Sequence, residues 1–390
     1  MLRVLHVIPS VSPVRGGPSH AVLGIVRKLN SLGLNCEIAT TDDDGSNTLG
    51  VPLEALTQFQ GCPIRFFHRW NAPIAPLREF AFSWPLRTWL DENMAEYDLI
   101  HVHALFSYPS TIAMCIARRN RIPYVVRPLG LLCEWSLQQK PLKKRFYLNL
   151  IERRNLNGAS LLEYSATEEE REASPLKLKP PSVIFPLGFE LQAKVPDARR
   201  RLRAKYNMPE NIFIIVFLSR LHPKKGIDLL LRALALVKDR PFGFVIAGSG
   251  QKSYEEGIDR LVSSLGLDEK VHRVGFVDGE EKAVTLQGAD VFALTSHSES
   301  FGIAVAEAMA AELPVLITAG VPLAQAVVEH DLGWVVDLEE QAITEAVESA
   351  LADPVAAKNK GVRGSEYARN HYSWDAFAPQ LIEMYQALTA

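Results

Sequence analysis

The chain has 390 residues, 47% of them hydrophobic and 22% charged, a globular composition that excludes a disordered scaffold. Its 42 Lys and Arg against 45 Asp and Glu leave a net charge of −3, which argues against a dedicated nucleic-acid binder. The four scattered cysteines, Cys36, Cys62, Cys115 and Cys133, form no CxxC pair; this excludes a cysteine-based zinc or redox motif and a disulfide-stapled secreted fold, so a cytoplasmic protein is expected.

The segment Met1–Pro9 lacks the length and cleavage site of a signal peptide. The longest apolar run, Ile212–Leu218, is far short of a membrane span, so the expectation is a soluble protein or one peripheral at the inner face of a membrane. Along the chain, Val4–Ile8 reads as a strand, Ala21–Leu32 as a helix and Asn35–Thr40 as a strand. Leu99–Val102 and Tyr124–Val126 read as strands flanking a helix near Ser110–Arg119. Apolar runs this short, alternating with helices, predict a parallel α/β sheet covered on both faces. Lys177-Leu178-Lys179-Pro180-Pro181, with Pro186, Pro196 and Pro209, suggests a linker over 176–210. Alternation then resumes with strands at Ile212–Leu218, Phe244–Ala247, Val271–Val274, Val291–Leu294 and Val315–Thr318, and a helix at Asp228–Asp239. Two doubly wound domains follow from this order, and ligands of such sheets bind beyond the C-terminal ends of the strands.

Three motifs stand at such strand ends. Arg15-Gly16-Gly17-Pro18-Ser19-His20 follows the first strand. Paired glycines allow close backbone approach, and the next helix offers free N–H groups to an anion; a plain βα turn explains the motif as well. Ser219-Arg220-Leu221-His222-Pro223-Lys224-Lys225-Gly226 follows the most apolar strand. Arg220 and Lys225 suit a diphosphate, with a solvated charged turn as the alternative. Ser296-His297-Ser298-Glu299-Ser300-Phe301-Gly302-Ile303 leads into a helix expected from about Phe301, capped by Ser298 or Ser300. Glu307 then lies about two turns in, roughly 10 Å from the helix start. Glu299 and Glu307 could grip hydroxyls on either side of a diphosphate, or serve as a capping and a surface residue.

Glu-Ser-Phe-Gly-Ile-(x)3-Glu, preceded by Ser-Arg-Leu-(x)3-Lys-Gly and an N-terminal Gly-Gly-(x)2-His, resembles retaining glycosyltransferase family 4. Ala247-Gly248-Ser249-Gly250, Gly275-Phe276-Val277, Glu307-Ala308-Met309-Ala310 and Tyr372-Ser373-Trp374-Asp375 add to the resemblance, which spans nearly the whole chain. It implies a GT-B fold, α/β, with two Rossmann-like doubly wound domains facing an interdomain cleft. The implied division is an acceptor domain over 1–187, a nucleotide-sugar domain over 188–371, and a C-terminal helix over 372–390 that crosses back. It further implies that Arg220 and Lys225 stabilise the leaving diphosphate, that Glu307 holds the ribose and that Glu299 lies beside the donor sugar. By the same resemblance Phe301, Gly302 and Ile303 contact sugar and phosphate through their backbone, Gly16 and Gly17 meet the diphosphate, and Gly248 and Val277 help line the donor site, Val277 near the base. No metal or other cofactor is expected.

Many members of that family carry a catalytic histidine after the strand matching Tyr124–Val126, where this chain reads Arg127-Pro128-Leu129-Gly130 and the matching position is Leu129. Arg127 or a backbone carbonyl is the substitute to consider. His101 and His103 share one strand face. With no third ligand placed by spacing, they are read, with His20 and Arg127, as acceptor or cleft residues rather than a metal pair. Thr41-Asp42-Asp43-Asp44 reads as a solvated loop. Lys140–Arg154 is a basic segment with aromatics that could meet anionic lipid, with a solvated helix face as the alternative. The function expected from this resemblance is transfer of a hexose, with UDP-glucose as donor, to a glycan or lipid-linked glycan in polysaccharide biosynthesis. Alternatives are a UDP-sugar 2-epimerase or phosphorylase of the same fold, and a non-catalytic nucleotide-sugar-binding regulator.

Overall fold

A computed structural model of the chain describes residues 2–139 and 141–390. The chain divides into two compact units, one of residues 1–188 with 374–390 and the other of residues 189–373.

The first unit is built on an eight-stranded sheet. Its order is Ser182–Ile184, Leu161–Tyr164, Tyr124–Arg127, Leu99–His103, Arg3–Val7, Asn35–Thr41, Cys62–Phe67 and Leu56–Phe59. All neighbours run parallel except the last pair, which is a hairpin. The central strands are buried almost throughout, their apolar residues interrupted by His6, His101, His103 and Arg127. The order reverses between Arg3–Val7 and Leu99–His103, which pair directly with His6 opposite His101.

The helix Trp374–Thr389 belongs to this unit. It packs on the helix Gly17–Ser31, where a Cβ added to Gly24 would fall 2.4 Å from Trp374 Nε1, so only glycine admits the indole. Phe377 and Tyr385 are buried with it, Phe377 against Phe185.

The second unit carries a six-stranded, all-parallel sheet in the order Val271–Gly275, Phe242–Ala247, Phe213–Leu218, Val291–Leu294, Val315–Thr318 and Gly333–Val336. The helix Ile227–Leu236 buries Ile227, Leu230, Leu231 and Leu234, the i, i+3, i+4, i+7 stripe that faces a core. The sheet order reverses between Phe213–Leu218 and Val291–Leu294.

The stretch 176–210 is not the plain linker its prolines suggest. It contains the strand Ser182–Ile184, which extends the first sheet, and the helix Ala198–Lys205, which packs on Gly279–Gly288 in the second unit. The prolines at 180, 181, 186, 196 and 209 bracket these elements instead of entering them, as Pro must when it can neither donate to a ladder nor sit inside a helix.

Candidate functional site

In the second unit, the loops after Phe213–Leu218 and Val291–Leu294 lie side by side, because these two strands flank the reversal of sheet order. That reversal opens a crevice at the C-terminal strand ends. Backbone bonds hold the two loops together: His297 N–H donates to Lys224 O at 2.8 Å, and Thr295 Oγ1 donates to Gly226 O at 2.8 Å. Gly226 must be glycine, since its φ is +62° and a Cβ would fall 2.0 Å from Thr295 O. Gly248 ends the neighbouring strand at φ +136° with Ser219 O 1.9 Å from where its Cβ would be, so that here too only backbone fits. Val277, in the next strand-end loop, is buried.

The helix Ile303–Ala310 starts at an N-cap that the sequence reading misplaced. The cap is Gly302 at φ 90°, ψ 52°, and neither Ser298 nor Ser300 caps it. A left-handed residue suits glycine; Val305 N–H donates to Gly302 O, but no side chain accepts from the first turn, so the amides ahead of Val305 and the positive end of the helix remain for another acceptor. Glu307 is the fifth residue of this helix, hence about 6 Å along it by helical rise and just over one turn in, not two. Phe301, immediately before the cap, is buried edge-on to Tyr372, their centroids 5.3 Å apart, which anchors the loop.

Both carboxylates are paired with lysine. Lys225 Nζ meets Glu299 Oε1 at 2.5 Å, and Lys282 Nζ meets Glu307 Oε1 at 2.6 Å, with all four side chains largely but not fully buried. Lys282, on the helix Gly279–Gly288, escaped the sequence reading because it stands outside every motif; only the fold brings it to Glu307. Arg220 differs from them: it is exposed and has no carboxylate partner among the described residues. The cations are felt by His222, whose imidazole is pushed down by burial and then by Arg220, Lys225 and Lys224. The arrangement is a cationic strand-end loop tied to the loop that leads into an uncapped helix, with Glu299 ahead of the helix start and Glu307 within the helix.

In the first unit, Gly16 (φ 76°) is the N-cap of Gly17–Ser31, with no side-chain cap and nothing within 4 Å of where its Cβ would be. That helix start is open to a ligand, and His20, half-buried, sits one turn inside it. The loops after the two adjacent strands Leu99–His103 and Tyr124–Arg127 hold three non-glycine residues in the left-handed region: Ala104 (φ 65°), Phe106 (φ 56°) and Leu129 (φ 57°). Each such residue costs about 1–2 kcal/mol. Strain of this kind concentrates at functional sites.

His101, His103 and Arg127 are not where the sequence reading put them. All three are buried, and so is His6. His6 Nδ1 pairs with His103 Nε2 at 3.0 Å, and His101 Nδ1 pairs with Tyr385 Oη at 2.5 Å. With the phenol donating, His101 turns Nε2–H toward Glu163 Oε2, 3.5 Å away. Arg127 Nε meets Glu163 Oε1 at 3.0 Å, and its Nη2 donates to Phe185 O and to Pro186 O. The reason is sheet position: strand alternation puts both histidines on the face covered by Trp374–Thr389, so they pack under that helix. Burial, reinforced by Arg127, pushes the His6 imidazole down to about 3 and holds His101 and His103 well below their ordinary range, so all three are neutral at neutral pH. His6 is the third histidine that spacing did not reveal; ring nitrogens of the three approach within 4.8 Å of one another.

The Asp42–Asp44 stretch is not a solvated loop either. Asp42 and Asp43 are buried; Asp43 takes Arg15 at 2.7 and 2.9 Å and also the buried Arg69, while Asp42 takes His68 at 3.0 Å and the Arg69 amide at 2.8 Å. Through Arg15, Asp43 ties this stretch to the turn that precedes Gly16.

Residues 16–188 match the Glycosyl transferase 4-like domain family, and residues 198–371 match the Glycosyl transferases group 1 family. A GDP-mannose-dependent alpha-(1-6)-phosphatidylinositol monomannoside mannosyltransferase of Mycolicibacterium smegmatis is 34% identical over 197 residues, 48% of this chain and 51% of that enzyme. The chain thus spans only about half the length of that relative. A D-inositol 3-phosphate glycosyltransferase of Corynebacterium efficiens is 28% identical over 312 residues, 75% of this chain and 72% of the relative. Among solved structures, sucrose-phosphate synthase from Thermosynechococcus elongatus superposes with a TM-score of 0.82 at 22% identity, covering 100% of this chain and 99% of that one. Anabaena HepE in complex with UDP and glucose gives 0.77 at 22% identity, covering 99% and 100%. Two matched families between them spanning both parallel-sheet units, with strand-end motifs at both reversals of sheet order, leave one assignment: the chain belongs to the family 4 type of glycosyltransferase and has the GT-B fold.

Proposed function

We propose that the second unit binds a nucleoside-diphosphate sugar and that the chain transfers its hexose, with retention, to a glycan or lipid-linked glycan in polysaccharide assembly. The observation that carries this reading is the uncapped Gly302 helix start, whose leading loop the Lys225–Glu299 pair ties to the loop carrying the exposed Arg220. As the bond from the sugar C1 to the diphosphate oxygen breaks, the electron pair leaves with the diphosphate. Fixed cations and helix amides aimed at that oxygen stabilise the new charge. The acceptor hydroxyl forms the new bond to C1 and passes its proton to the departing phosphate oxygen, which requires no histidine at position 129. Arg220 is the direct phosphate contact; Lys225, tethered by Glu299, shares its ammonium between carboxylate and phosphate. Glu307, set by Lys282, holds the ribose diol, and Glu299 lies beside the sugar, where positive charge develops. The charge of the leaving group is met by Arg220, Lys225 and the helix start, with no divalent metal in the step.

UDP-glucose is the proposed donor. GDP-mannose is the second reading, favoured by the name of the Mycolicibacterium relative. Turnover of each donor, with and without acceptor, decides between them; slow hydrolysis of either separates an enzyme from a non-catalytic binder, and a 2-epimerised sugar or a sugar phosphate as product would replace the transferase reading. The role of each carboxylate is tested by full donor kinetics. Glu307→Ala should mainly raise the donor KM, since a ribose contact acts equally in ground and transition states. Glu299→Gln should mainly lower kcat. The opposite pattern would reverse the two assignments.

A peripheral contact with an anionic membrane is also proposed for the first unit. No helix among the described residues is long and apolar enough to cross a membrane. The helix Pro141–Tyr147 and its continuation nevertheless turn Leu142, Phe146 and Leu150 outward, 85%, 70% and 63% exposed. Spacing by four puts them on one face, with exposed Lys143 and Arg145 alongside, the pattern of a helix lying in a lipid interface. Lys140, at the start of this basic segment, lies outside the described residues.

A further inference from the structure

The outward apolar stripe does not end on a featureless surface. The helical run passes into a π-helical turn over Leu148–Glu152, a rare element that frequently marks functional sites. The wide turn throws Leu150 and Ile151 out to solvent while Leu148 and Glu152 point inward. Beside it lies a cavity of about 240 Å³ whose lining includes Thr111, Ile112, Arg118, Leu150, Ile151 and Arg154. The walls are mostly apolar, yet two arginines from different elements, the helix Tyr108–Asn120 and the helix Arg153–Leu156, meet there.

Neither arginine has an acidic partner among the described residues, and the Nε of Arg118 is buried with no acceptor. The carboxylate closest in sequence, Glu152, is fully buried and held by Thr111 Oγ1 at 2.6 Å, and burial pushes its pKa up. It forms no ion pair with either arginine. Two uncompensated guanidinium groups in a recess suit a phosphate, which each can bind bidentately. At 240 Å³ the recess is smaller than the roughly 300–1,000 Å³ of pockets that enclose drug-sized ligands, and is matched to a small phosphate ester.

We propose that this cavity binds the phosphate head group of an anionic phospholipid, with the acyl chains emerging along Leu142, Phe146 and Leu150. The inference rests on the membrane contact proposed above and deepens it: the stripe supplies apolar insertion, and Arg118 with Arg154 read the head group. The lipid is an anchor here, distinct from whatever acceptor the enzyme glycosylates. Free phosphate esters share the same chemistry and are the alternative occupant that the test must separate.

The test is co-sedimentation of the full chain with vesicles of phosphatidylcholine alone and of phosphatidylcholine mixed with phosphatidylglycerol. Three double variants are compared with the unaltered protein: Arg118→Gln with Arg154→Gln in the cavity; Arg119→Gln with Arg121→Gln, equal charge outside it; and Leu142→Ser with Phe146→Ser in the stripe. The expected result is preference for phosphatidylglycerol, lost tenfold or more further in the cavity pair than in the charge-matched pair. Equal losses in the two arginine pairs would mean diffuse electrostatics and would overturn the head-group site. If the stripe pair abolishes binding while the cavity pair changes nothing, the membrane contact stands and the head-group site falls. Absence of vesicle binding by the unaltered protein removes both. Titration calorimetry with glycerol phosphate and inorganic phosphate covers the other source: binding of these without vesicle binding makes the site one for free phosphate esters and overturns the lipid assignment. Arg154 is exposed, so Arg154→Gln alone carries the comparison, against Arg119→Gln alone, should the cavity pair unfold.

Discussion

The two units place polar residues at the same topological position and cover them to opposite degrees. At the reversal of the first sheet, His6, His101, His103, Arg127, Glu163 and Tyr385 are buried and mostly paired with one another. At the reversal of the second, Arg220 is exposed and unpaired, Lys225 and Glu299 are only partly covered, and a helix start is left uncapped. What separates them is cover. The helix Trp374–Thr389 seals the first group and makes it a lock for that helix, whereas the charges of the second stay available to a ligand. Polar residues at strand ends therefore do not identify a site until their burial is known.

The comparison breaks most visibly at the arginines. Arg127→Ala leaves Glu163 buried without its cation and should cost about 3–5 kcal/mol of stability, measured by denaturant titration. Loss of activity with unchanged stability would return Arg127 to the substrate. Arg220→Ala should do the reverse: stability unchanged, and turnover down on the order of 10²–10³-fold, the cost of one electrostatic donor at a developing charge. Near-normal turnover would remove Arg220 from the leaving-group site.

Tyr385→Phe sharpens the lock. It strips the donor from buried His101 and should cost about 1–3 kcal/mol, with the C-terminal helix the first segment to exchange its amide hydrogens. The histidines add a pH signature. Their folded pKa values lie below the unfolded value, so the unfolded chain takes up protons first. The stability they contribute is complete above about pH 6.5 and is lost as pH falls toward 3 for His6. Each contributes a slope of up to about 1.4 kcal/mol per pH unit in that window. Glu163, pushed up by burial, acts with the opposite sign, gaining a proton in the folded state. His6→Asn should therefore flatten the acid limb of a stability–pH curve relative to the unaltered protein, and an identical limb would remove His6 from the titration. The smallest effect is expected from chelation: activity in excess EDTA should stay within about twofold, because the proposed step assigns the charge stabilisation to Arg220, Lys225 and the helix start. Activity lost to EDTA and restored by Mg²⁺ or Mn²⁺ would require a metal in the transfer step.

Periodicity and glycine chemistry, local properties of the chain, were enough to determine the alternation of strands and helices, the parallel sheets, and the loops carrying Gly16, Arg220 and Gly302. A short β-branched apolar run bounded by turn residues favours a buried strand, and a left-handed turn that another backbone approaches closely favours glycine. Short or half-exposed strands such as Leu56–Phe59 and Gly333–Val336 carried too weak a pattern to be read in advance. Only the tertiary structure decided which polar side chains face a ligand. His6 and His101 are 95 positions apart and meet because their strands pair in register; Tyr385 and Lys282 join their partners through packing that no local spacing encodes. Burial belongs to the packed whole, and burial is what locks His101, His103 and Arg127 into one core, the histidines neutral and Arg127 paired with Glu163, while Arg220 stays exposed and without a carboxylate partner among the described residues.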